Sequence, residues 1–178
     1  MRPDQDTHEM LTFGELDMTQ GIGDINSDAK GTGARFNGGK PAMELIPLTL
    51  IAMSWRQEWE AMFAEAMRDL GKFQETGDTR HLLNLIDAFE SPWEDCARVF
   101  EYGKRKYAEW NWAKGMPWSV PLACAARHLM AMRKGEENDP ESGLPHRGHV
   151  MCNVVMLLTF SHSYVEGNDL PIGMVNTI

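Results

Sequence analysis

Between Pro145 and His162 the chain would be apolar on nearly every side of a helix, and this constrains the fold more than any other segment. The run PHRGHVMCNVVMLLTFSH carries Val150, Met151, Val154, Val155, Met156, Leu157, Leu158 and Phe160. A helix of that kind must be surrounded by other elements, so it belongs at the centre of a bundle. Three polar residues interrupt it: His146, His149 and Asn153 stand at i, i+3 and i+7, on one face. Polar groups in such a place need a partner side chain, a metal or a ligand, because burial without one is costly.

The surrounding pattern is also helical. From Met43 to about Leu70 apolar positions step mostly by three and four, with a bend or fresh start expected after Pro47 and an end at Gly71. Asp78 or Thr79 could cap a short helix bearing Leu82, Leu83, Leu85, Ile86 and Phe89. Ser91-Pro92-Trp93-Glu94 is a start signal for a helix running to about Trp110. Ser119 would cap another, about 120–134, closed by Gly135. No stretch alternates with period two for long enough to be a strand. The expected fold is all-α: a compact bundle of about five helices. Residues 1–32, poor in large apolar residues, read as a flexible N-terminal arm. Residues 33–178 read as a single helical domain, since 178 residues suit one core.

A formal net charge of −9 argues against general nucleic-acid binding, because repulsion acts throughout a Debye length. Cys96, Cys124 and Cys152, odd in number and within helical patterns, suit core positions in a reducing compartment. MRPDQDTHEM lacks an apolar leader core and no apolar run reaches membrane-spanning length. The expectation is a cytoplasmic protein with no membrane partner.

Cations and flat rings gather in KRKYAEWNWAKG (104–115), where Lys104 and Lys106 could meet phosphate while Tyr107, Trp110 or Trp112 stacks a base. The alternative is a basic helix end with buried rings. Asn111 lies in the same block, and Arg127-His128 on the neighbouring helix. GARFNGGKP (33–41) is not a P-loop, since Gly39 stands where Lys should be and Pro41 follows Lys40. Arg35 and Lys40 could still donate to phosphate from a permissive backbone. Glu136 and Asp139 have a spacing suited to Mg²⁺, or form a solvated acidic turn. Glu101 could join them or pair with Arg105.

Three blocks in order, GARFNGGKP with MELIP, VFEYGKRKYAEWNWAKGMPWS, and ARHLMAMRKGEENDPESGLPHRGHVMCNVVMLL, resemble the bacteriophage domain described as the N-terminal part of dATP/dGTP diphosphohydrolases. The resemblance covers about 33–51 and 93–160, so that 53–91 reads as an inserted helical hairpin. It implies a helical, MazG-associated domain acting on nucleotides with Mg²⁺ or Mn²⁺. By position it implies roles for Arg35, Lys40, Lys106, Tyr107, Asn111, Trp112, Arg127, His128, Asp139, His146, His149 and Asn153. The paired helical carboxylates of a MazG site are absent; His149 and Asn153 stand where carboxylates are expected.

Two functions follow as expectations. One is a metal-dependent phosphohydrolase releasing pyrophosphate from purine deoxynucleoside triphosphates. Its metal would sit on Glu101, Glu136 and Asp139, Lys104 and its neighbours would offset phosphate charge, and His128, His146 or His149 would act as base. The other is a nucleotide-binding sponge or sensor that cleaves nothing. Either is expected to form a homo-oligomer, with Trp55, Trp59, Met62 and Phe63 as interface candidates.

Overall fold

The computed structural model describes residues 21–90 and 92–175. Residues 1–20 of the expected arm and the expected Ser91 cap lie outside the described residues. Among the described residues six α-helices follow in order: α1 (Leu48–Ser54), α2 (Ala61–Thr76), α3 (Arg80–Ala88), α4 (Trp93–Lys106), α5 (Ser119–Arg133) and α6 (His146–Ser163). The fold is mostly helical, as the periodicity implies. The β-structure among the described residues is one antiparallel pair of two-residue strands, β1 (Gly21–Ile22) and β2 (Arg35–Phe36), and an isolated bridge from Asn138 to Pro145.

α6 occupies the centre, packed on α5 and α4, with α3 at its flank. Met151, Val154, Leu157 and Phe160 are fully buried there. α2 joins this core through Met67, Leu70 and Phe73, each fully buried. At α6 and α4 the backbones touch: a Cβ on Gly148 would lie 2.8 Å from the carbonyl of Asp95. Only glycine permits that approach.

Several boundaries differ from expectation. Gly71 does not end its helix; it lies inside α2, where a Cβ would fall 2.5 Å from the Thr49 nitrogen of α1. The helix ends instead at Gly77, whose φ of +70° is left-handed. α4 stops at Lys106 rather than Trp110, and a short 3₁₀ turn over Asn111–Lys114 follows. Residues 21–32, expected within the flexible arm, are fastened by backbone pairing and by Ile22, half-buried against the core. The β1–β2 pair ties one end, and Gly31 donates to the Lys114 carbonyl at 2.6 Å. Trp55, an expected interface residue, is buried beneath the Arg133 guanidinium, whereas Trp59 and Met62 are exposed. No helix among the described residues is long and apolar enough to cross a membrane.

Candidate functional site

A cavity of about 590 Å³ opens where six segments meet: β2 with the loop after it, the end of α4, the 110–112 turn, one face of α5, the stretch between α5 and α6, and one face of α6. Arg35, Lys40, Lys104, Lys106, Tyr107, Asn111, Trp112, Arg127, His128, Asp139, His149 and Glu101 all line it. The basic-aromatic block and the histidine face of the last helix therefore share one chamber. Of the residues singled out from sequence, His146, Asn153 and Glu136 stand outside its lining.

Asn111 and Asn153 act on the walls rather than on a guest. Asn111 clips the backbone of Ala34, donating to its carbonyl at 3.1 Å and accepting from its N–H at 3.4 Å. Asn153 is fully buried and cannot touch a ligand in the cavity. Its Oδ1 accepts from Arg35 at 3.0 Å while its Nδ2 donates to the His149 carbonyl at 2.7 Å. The same guanidinium donates to the Cys124 sulfur at 2.8 Å. Burial opposes a thiolate at Cys124, but Arg35 and hydrogen bonding to His128 outweigh it and hold this thiol well below its usual range. At Cys152 burial outweighs the Arg35 charge, and the thiol is pushed up. Three free thiols, all buried, agree with the sequence.

The acidic stretch after α5 keeps Glu136, Glu137 and Glu141 exposed to solvent, but Asp139 within it is half-buried and the stretch is ordered by hydrogen bonds. Residues 136–145 close a hairpin: Asp139 N–H donates to the Leu144 carbonyl at 2.9 Å and His146 N–H to the Glu137 carbonyl at 2.9 Å. Asp139 accepts from the Ser142 hydroxyl at 2.8 Å and from its N–H at 2.9 Å. Burial opposes ionisation of Asp139, yet these bonds keep its carboxyl below the usual carboxylate range. The ionised carboxylate takes the hydroxyl proton, so His149 Nε2, 2.8 Å from Ser142 Oγ, carries hydrogen and donates. Its ring stacks on His128 at 4.4 Å. Burial, and then His128, depress His149 to about 3. Burial and His128 lower His146 too. These two imidazoles are neutral, and that of His149 is a donor at Nε2, contrary to the expectation of a base poised near neutrality.

Glu141 was missed as a site residue, because a Glu in a polar loop gives no sequence signal. It bridges Lys40, at 3.1 Å, and Lys106. Against the cost of burial, these two cations draw it down to about 2. The Lys106 ammonium also lies over the rings of Phe36, Tyr102 and Tyr107 at 5.6–5.9 Å. Trp110, at the rim, is 68% exposed and held at φ +57°, an uncommon conformation for a non-glycine residue.

The expected carboxylate set does not assemble. Glu101 pairs with Arg105 at 3.2 Å, Asp139 is engaged by Ser142, and Glu136 lies 3.9 Å from His146 Nε2. Among the described residues, the group able to hold a metal ion is His128, Asp139 and His146. A magnesium site of three carboxylates does not fit this arrangement.

A helical domain with a cation-lined aromatic chamber is the class this geometry defines. The model of the family described as "dATP/dGTP diphosphohydrolase, N-terminal" matches residues 71–170, and the chain belongs to that family. It is also similar to the dATP/dGTP diphosphohydrolase of Salmonella phage PMBT28, 31% identical over 87 residues. That match covers 49% of this chain and 29% of the relative, so the chain corresponds to less than a third of that protein's length. No solved structure matches.

Proposed function

We propose that this domain binds purine deoxynucleoside triphosphates and hydrolyses them with release of pyrophosphate. The observation that carries the reading is the shared chamber, in which Lys40 and Lys106 face the same space as Tyr107, Trp112 and the histidine group. The base would stack at the aromatic rim while the ammonium groups take phosphate oxygens. Water would attack the α-phosphorus, forming its new P–O bond as the bond to the bridging oxygen breaks. Pyrophosphate leaves, and the water's proton passes to bulk solvent through the open mouth of the chamber. The lysines would offset the charge that gathers on the leaving oxygens. The names of the family and of the phage relative agree with this activity.

The test is incubation of the protein with dATP, dGTP and their ribose counterparts, with divalent cations supplied in turn. Pyrophosphate and the monophosphate are the expected products. A ligand that binds and returns unchanged after denaturation would instead establish a sponge or sensor, the second reading, which the poorly assembled carboxylate set favours. Self-association through the exposed Trp59 and Met62 belongs to the same proposal. Light scattering checks it, and a clean monomer at micromolar concentration would retire it.

A further inference from the structure

Three donors at the edge of the cavity have a geometry that nucleotide binding does not require. Nδ1 of His128 and Nδ1 of His146 face each other at 2.8 Å. An Asp139 oxygen completes a group whose donor atoms all lie within 4.8 Å of one another. The three come from separate elements, the last turns of α5, the 136–145 hairpin and the start of α6. A second observation is independent of that spacing. His146 is 3% exposed, and its Nε2 is buried with no hydrogen-bond partner. An unpaired buried group costs about 1–3 kcal/mol, which is hard to explain for a histidine that merely fills the core.

We infer that His128 Nδ1, His146 Nδ1 and an Asp139 oxygen hold one divalent transition-metal ion of the manganese-to-zinc series. At bond lengths of about 2.0–2.1 Å, adjacent ligand atoms stand about 3.0–3.4 Å apart, so the two nitrogens need to separate by only a few tenths of an ångström. Two imidazoles and one carboxylate are softer than the oxygen set that magnesium prefers. Ligation at Nδ1 also resolves the orphaned atom. It fixes His146 with hydrogen on Nε2, and the half-exposed Glu136 carboxylate, 3.9 Å away, is free to swing in as acceptor. That is the usual supporting contact of a metal-bound imidazole. Ser142, bonded to Asp139, orients the third ligand. The remaining positions of the ion would face the chamber, where Asp139 and His128 line the wall.

The inference is tested without nucleotide, so its failure is separable from failure of the hydrolytic reading. Full-length protein stripped with a chelator, and shown to be folded by circular dichroism, is titrated with Co²⁺. One ion per chain is expected, with visible absorption bands characteristic of nitrogen ligation that persist in a large excess of Mg²⁺. His146→Gln and Asp139→Asn should each abolish the bands. Glu136→Gln, on a half-exposed side chain whose loss does not threaten folding, should weaken affinity about 10–100-fold. No Co²⁺ uptake by the wild type, displacement by equimolar Mg²⁺, or unchanged affinity in Glu136→Gln would overturn the assignment.

Discussion

Arg35 Nη2 donates to Asn153 Oδ1 at 3.0 Å, joining a strand near one end of the sequence to the middle of the central helix 118 positions later. This bond holds the guanidinium against the chamber floor. Asn153→Ala would leave Arg35 short of one buried acceptor and His149 short of a donor to its carbonyl. A loss of about 1–3 kcal/mol is expected, read from urea denaturation at constant pH. Asn153→Asp should restore the contact to Arg35, and stability closer to wild type would show that this bond is the cause.

Glu141 occupies the two ammonium groups that a triphosphate would use. Removing its charge frees Lys40 and Lys106. Because the pair is partly exposed, the gain is discounted to ~1 kcal/mol, or about fivefold tighter binding of nucleotide by Glu141→Gln. Isothermal titration calorimetry measures it. Weaker binding in this variant would mean that Glu141 organises the lysines for phosphate rather than competing with it.

Acid should destabilise the fold through His149. Its folded value of about 3 lies below the ordinary 6.5, so the unfolded chain binds the proton more readily between those limits. Stability is therefore full above about pH 6.5 and falls as pH drops toward 3. Asp139, lowered from 3.8, adds a loss of the same sign at still lower pH. His149→Gln should flatten the profile between pH 6 and 4, followed by thermal melting. An equally steep profile in that variant would refute the assignment.

Trp110 projects at the rim and contacts Trp112 at 6.0 Å between ring centroids. Trp110→Ala should leave stability within about 0.5 kcal/mol of wild type. Its cost should appear in nucleotide affinity, at about 1–3 kcal/mol for one lost base stack. Fluorescence quenching on titration with dGTP distinguishes the two effects.

The central helix was legible because apolar residues on nearly every side of it leave no alternative to burial, and its polar stripe announced the histidine group. What the sequence hid was mostly relational. Gly71 carries the same signal whether it ends a helix or admits a crossing backbone; only the approach of Thr49 decides. Asn153 and Asn111 read as ligand contacts, but an amide satisfies a buried guanidinium or a backbone clip equally well. Glu141 and Cys124 gave no local signal, since their character comes from cations brought in from distant segments. Glu101 shows the converse: the i, i+4 spacing to Arg105 already foretold its surface pair.

The missing side chain at Gly148 sets how closely α4 and α6 can lie. With two main chains in direct contact, α4 and α6 have no cushion of rotamers on which to slide past each other. The spacing between these two helices is therefore set by main chain against main chain rather than by side-chain rotamers.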